Sequence, residues 1–95
     1  MSSVTDIILT TAVEDKGILD VNDYLRGHYR TPIVHIDDKK AGGDKMHQVE
    51  IYTGAFNYLD INELLEEIDT ANWESPEDVS VFVQEEAEDK MRQRR

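Results

Sequence analysis

Asp60-Ile61-Asn62-Glu63-Leu64-Leu65-Glu66-Glu67-Ile68 is the stretch from which the fold is read. Ile61, Leu64, Leu65 and Ile68 recur at i, i+3, i+4 and i+7, the spacing that lays one apolar stripe along a helix. Asp60 stands just before the stripe and Glu63 follows three residues later, a capping-box-like start that also places acids at the positive end of the helix dipole. On both sides of this helix the period changes from 3.6 to 2. Upstream, His47 to Thr53 alternates, with Val49, Ile51 and Thr53 on one face and Gln48, Glu50 and Tyr52 on the other; Gly54 is expected to bend the chain out of this strand. Downstream, Asn72-Trp73-Glu74-Ser75-Pro76 ends the helix, and Val79-Ser80-Val81-Phe82-Val83 reads as a further strand.

The N-terminal half repeats the alternation of periods. Val4 to Thr11 is rich in β-branched residues and reads as a strand. Ile18, Val21, Tyr24, Leu25 and His28 then recur at helical spacing, with Asp15 or Asp20 as N-cap and Gly27 near the end. Pro32 keeps its predecessor out of the helical region, so Ile33 to Asp37 is expected as a strand and Asp38 to Met46, with Gly42-Gly43, as a hairpin loop. The order β-α-β-β-α-β predicts an α+β fold of the ferredoxin-like, split βαβ kind: a four-stranded antiparallel sheet with two helices on one face. Right-handed crossovers place strands one and three inside and strands two and four at the edges. Residues 1–84 are expected as a single domain, with 85–95 a charged tail, helical or frayed, carrying Glu86/Lys90 and Glu88/Arg92 at i, i+4. Many folds of this class serve unrelated purposes, so topology alone says little about function.

Charge says more. The 95 residues carry 21 acids against 10 bases, a formal net charge of −11. Between Gln48 and Asp89 stand 13 of those acids and not one Lys or Arg. Asp60, Glu63, Glu66, Glu67, Asp69, Glu74, Glu77 and Asp78 are therefore expected as an acidic face without local counter-charge. Such a face repels nucleic acid and anionic membrane and draws basic partners, with an attraction that salt weakens. The expected function is protein–protein interaction with a basic partner, one that is itself a nucleic-acid-binding protein in the sharper form of this expectation. In that form the chain is a nucleic-acid mimic, similar in size and charge to phage-type anti-defence inhibitors, although no motif carries the likeness. The bland alternative is a solvated helix face that keeps a small protein soluble.

Other chemistry has weaker signals. His35 and His47 flank one hairpin, and with Asp37 or Asp44 they make a candidate zinc site, without the tight spacing of a helical metal motif. A small-ligand module built on the Asp38–Met46 loop is the other alternative. His28 is expected at the buried edge of the first helix. No serine lies in a nucleophile-elbow context, so no enzyme and no cofactor is expected. Tyr52 and Phe82, with Val34 or Ile36 and Ile7 or Leu9, are expected on the open face of the sheet, where a homodimer or a partner would cover them. With no cysteine, no basic N-terminal region and apolar runs as short as Ile7 to Leu9, a soluble cytoplasmic chain is expected.

Overall fold

The computed structural model describes residues 3–36, 42–45 and 48–95. The elements run β1 (Val4–Thr11), α1 (Gly17–Tyr29), β2 (Val34–His35), β3 (Glu50–Asn57), α2 (Ile61–Thr70), a 3-10 turn at Pro76–Asp78, β4 (Ser80–Glu85) and β5 (Arg92–Gln93). Among the described residues, five strands form one antiparallel sheet in the order β2-β3-β1-β4-β5. The protein is thus α+β, with two helices and an open sheet.

β1 sits at the centre because its alternation serves two environments. Thr5, Ile7, Leu9 and Thr11 are buried under the helices, while Asp6 is exposed and Ile8 and Thr10 are half-buried on the opposite face. Opposite them on β4, Val83 and Val81 pair with Ile7 and Leu9. Ile18, Val21, Tyr24 and Leu25 of α1, and Leu64 and Ile68 of α2, close the core with Phe56, Leu59, Trp73 and Val79. Asp60 caps α2 as its position predicts, accepting from the Glu63 N–H at 3.0 Å. Neither helix is long and apolar enough to cross a membrane.

Several expectations are corrected. The sheet has five strands rather than four, and β4 is not an edge: Phe82 and Val83 pair with Gln93 and Arg92 of β5. The segment expected as a helical or frayed tail thus contributes a strand, continued by Arg94 N–H to Val81 O at 2.8 Å and Val81 N–H to Arg95 O at 3.1 Å. The Glu88/Arg92 pair does form, at 3.0 Å, but outside any helix. β2 is only two residues long, because the Asn22 side chain of α1 takes both backbone groups of Ile33, its Oδ1 accepting at 3.0 Å and its Nδ2 donating at 3.2 Å. Ile33 is thereby drawn into the core instead of the ladder; Asp37, the last residue of the expected strand, lies outside the described residues.

β3 runs straight through Gly54 to Asn57. Glycine is needed there for close approach, not for a bend: a Cβ would stand 3.2 Å from Ile33 Cγ2 and 3.1 Å from the Phe56 ring. The chain turns instead at Tyr58, whose φ is 55°. Finally, Tyr52 faces the helices and not the open side. It pairs with Leu9, and both are buried, as is Ile7. The open face carries Ile8, Thr10, Ile51, Thr53 and Phe82, with Ile8 directly opposite both Thr53 and Phe82.

Candidate binding groove between the helices

α1 and α2 lie side by side over the sheet, and their exposed edges form a groove. Asp20, Asp23 and Tyr24 of α1 and Glu67, Thr70 and Ala71 at the end of α2 line a cavity of about 470 Å³. Helical spacing produces the arrangement. Asp20 and Asp23 are three residues apart, and Tyr24 follows Asp20 by four, so all three border the apolar stripe of Val21 and Leu25. On α2, Glu67 precedes the buried Ile68 and follows Leu64 by three. Asp20 is also tied to the far wall, where its Oδ2 accepts from the Asn72 N–H at 2.8 Å.

The acids expected as one face are dispersed around this groove, and several have counter-charges close by. Only Glu67 lines it. Asp60 is occupied as the N-cap. Glu63 accepts from the Tyr24 hydroxyl at 2.7 Å and lies 3.8 Å from His28. Asp69 is paired with Arg95, whose guanidinium also donates to Pro76 O at 3.0 Å. Glu74 is 4.0 Å from Lys16. Glu66, Glu77 and Asp78 remain exposed, the last two on the 3-10 turn beyond α2. The expectation of an acidic face without local counter-charge is therefore corrected at Asp69 and Glu74. A Lys or Arg distant in sequence reaches both, although exposed pairs of this kind contribute little to stability.

Tyr24 is the polar link between the helices. Burial, then its hydrogen bond to Glu63, pushes its hydroxyl far above the usual phenol range, so it stays a donor at every ordinary pH. His28, expected at a buried edge, is exposed, with Nδ1 3.0 Å from Tyr24 O. The sequence offers Asp20 only as a helix cap and gives Asp23 no role, because the long base-free run lies elsewhere; their i, i+3 spacing beside the stripe is the signal that places them on the groove.

The other candidate residues fall apart. His35 bonds to the carboxylate of Glu50. His47 and Asp37 lie outside the described residues, and Asp44 is exposed. Among the described residues, no group of three or more His, Asp and Glu is placed to hold a metal ion. Most of the Asp38–Met46 loop also lies outside the described residues. Phe82 is half-buried on the open face, whereas Tyr52 is in the core. Comparison with protein-family models, with curated proteins and with solved structures found no match to this chain.

Proposed function

We propose that this chain is an acidic protein–protein interaction module that seats a basic segment of its partner in the groove between α1 and α2. The observation that carries it is the convergence of Asp20, Asp23 and Glu67 on one concavity that no Lys or Arg lines among the described residues. A groove focuses the field of its charges more than a convex face does, and long-range attraction of this kind speeds association and weakens with salt. Protein interaction is preferred to nucleic-acid mimicry because Asp60, Asp69 and Glu74, which a mimic would present in a row, are engaged with their own chain. The half-buried apolar residues Ile8, Ile51 and Phe82 offer a second surface on the open face, beside Val34 at 55% exposure. In the same reading, β1 to β4 and the two helices form a ferredoxin-like unit to which β5 is an addition, and the cysteine-free chain works in the cytoplasm.

The test is capture of a basic protein from the native host on the immobilised chain, at about 0.05 M and about 0.5 M salt. Specific capture at the lower salt that is lost at the higher, and lost again in Asp20→Asn/Asp23→Asn/Glu67→Gln, is the expected outcome. Asp20→Asn keeps an oxygen for the Asn72 N–H, so this variant is expected to stay folded. Capture unchanged by both salt and the substitutions would contradict the proposal.

A further inference from the structure

The segment that carries β5 is held unlike β1, β3 and β4. Arg92, Gln93 and Arg94 are exposed, and residues 86–95 add no side chain to the hydrophobic core. Backbone bonds do most of the holding: Val83 and Phe82 of β4 pair with Arg92 and Gln93, Arg94 and Arg95 donate to Val81 O at 2.8 and 3.4 Å, and Val81 N–H donates to Arg95 O at 3.1 Å. One side chain anchors the segment beyond β4. The Arg95 guanidinium is paired with the Asp69 carboxylate near the end of α2, and its Nη2 donates to Pro76 O at 3.0 Å.

This anchorage is weak by its chemistry. Asp69 is exposed, and a pair of that kind contributes little. The fit is also incomplete, since Arg95 Nε is buried without a hydrogen-bond partner among the described residues, and a buried donor left unpaired costs more than a made bond contributes. A segment with exposed side chains and one imperfect anchor opens ahead of the rest of a fold. What it covers is a ready surface. Detachment frees the N–H and C=O of Val81 on the outer edge of β4, and an open edge is a template for another strand. From α2 through β4 the chain has no Lys or Arg, so this surface takes its cation from residues 92–95.

We propose that Arg92–Arg95 is a displaceable strap, and that the β4 edge beneath it, with Asp69 and Pro76 O, docks an extended, arginine-bearing segment of a partner protein. The strap itself displays the mode of binding. Its ladder to β4 is strand addition at a sheet edge. Its guanidinium addresses a carboxylate and a carbonyl from one rigid plane, which the point charge of a lysine does not do. A partner segment must first find the edge open, so the strap lowers its apparent affinity by the fraction of chains in which the edge is free. Asp69, Pro76 and Val81 lie outside the lining of the groove between the helices, and either site can fail without the other.

The test uses the full chain in two measurements. In native-state hydrogen exchange, the Val81 amide, which donates to the strap, is expected to exchange about 100-fold or more faster than the Phe82 amide, which alternation of the ladder turns toward β1. Equal rates would overturn the proposal, because the strap would then open only with the whole sheet. The second measurement is a ¹H–¹⁵N NMR titration, at fixed ionic strength, with the acetylated peptide amide of sequence Lys-Met-Arg-Gln-Arg-Arg. In the Arg95→Ala chain, whose strap has lost its anchor, saturable shifts are expected at Asp69, Glu77, Val81 and Val83, with affinity about tenfold or more above that of the parent chain. Adding Asp69→Asn to Arg95→Ala is expected to lower that affinity about tenfold, whereas adding Asp23→Asn, an equal change of charge in the helix groove, is expected to lower it by less than about threefold. Asp69 and Asp23 are exposed and Arg95 lies outside the core, so these variants are expected to fold; unchanged shifts in β1 check this. Shifts that never saturate, that centre on Asp20, Asp23 and Glu67, or that weaken equally with Asp69→Asn and Asp23→Asn would overturn the proposal.

Discussion

Asp15→Ala is expected to lower stability by about 3 kcal/mol, roughly 15 °C in melting temperature for a chain of this size. Asp15 is a buried carboxylate, and no Lys or Arg among the described residues forms an ion pair with it. It is held by backbone donors instead: Oδ1 accepts from the N–H groups of Gly17 at 3.1 Å and Glu74 at 3.0 Å, and Oδ2 accepts from Ser75 at 3.1 Å. Two of those donors belong to the connection between α2 and β4, almost sixty residues away. The carboxylate thus clasps that connection to the start of α1. Removing it strands the donors of both segments, and an unmade bond at a buried site costs more than a made one contributes. Urea unfolding followed by circular dichroism measures the loss. A loss below about 1 kcal/mol would show that water replaces the carboxylate without difficulty.

The same residue gives stability a pH dependence of defined sign. Burial on its own raises the Asp15 pKa, but the N–H donors from Glu74, Gly17 and Ser75, with Lys16 nearby, outweigh it and hold the pKa below its usual 3.8. The folded chain therefore binds this proton less readily than the unfolded chain does. The stabilisation is present in full above the unfolded value and is lost as pH falls through the depressed folded one. Asp15→Asn keeps one acceptor oxygen but has no charge. It is expected to cost less than Asp15→Ala at pH 7 and to remove this part of the acid sensitivity.

Gly17→Ala is expected to cost about 3 kcal/mol, although alanine is ordinarily the better helix former. Gly17 opens α1 directly against the Trp73 indole. A Cβ there would press into the indole at Cε3 and Cδ2, far inside van der Waals contact, with even Cζ3 only 2.8 Å away. Trp73 is not free to retreat, since it is buried and its Nε1 donates to Ile68 O at 2.6 Å. The Asp15 clasp holds the residues on either side. Removing the ring reverses the expectation: in a Trp73→Ala background, itself strongly destabilised by the lost core volume, Gly17→Ala should cost nothing or give a slight gain. Equal costs of Gly17→Ala in both backgrounds would place its effect elsewhere than at the indole.

α2 was legible in the sequence because two independent signals coincide there, an apolar stripe at 3.6 spacing and an Asp that caps it; Ile61 and Asp60 fall where both place them. β1 and α1 follow from period in the same way. The facing of β3 was not legible, since its two alternating sets each hold an apolar residue, Ile51 in one and Tyr52 in the other. Only pairing with Leu9 decides which set is buried. β5 escaped notice because its ladder is backbone to backbone and its side chains are all polar, so no periodicity announces it. The run of acids was plain, but its neutralisation was not: Arg95 and Lys16 reach Asp69 and Glu74 only through the fold. The groove belongs to the same class, as Asp20 and Asp23 meet Glu67 across two helices separated by more than thirty residues.

Partner affinity is expected to reside in that groove rather than in net charge. Two triple variants of equal charge separate these. Asp20→Asn/Asp23→Asn/Glu67→Gln empties the groove of carboxylates, whereas Glu85→Gln/Glu86→Gln/Asp89→Asn removes three exposed acids at the end of β4 and in its connection to β5. Isothermal titration of each chain with a partner captured from the host, at one fixed salt concentration, is the deciding measurement. A loss of about tenfold or more in the groove variant, with the second variant within about threefold of the parent chain, is the expected result. Equal losses in both would contradict the claim and assign the affinity to net charge alone.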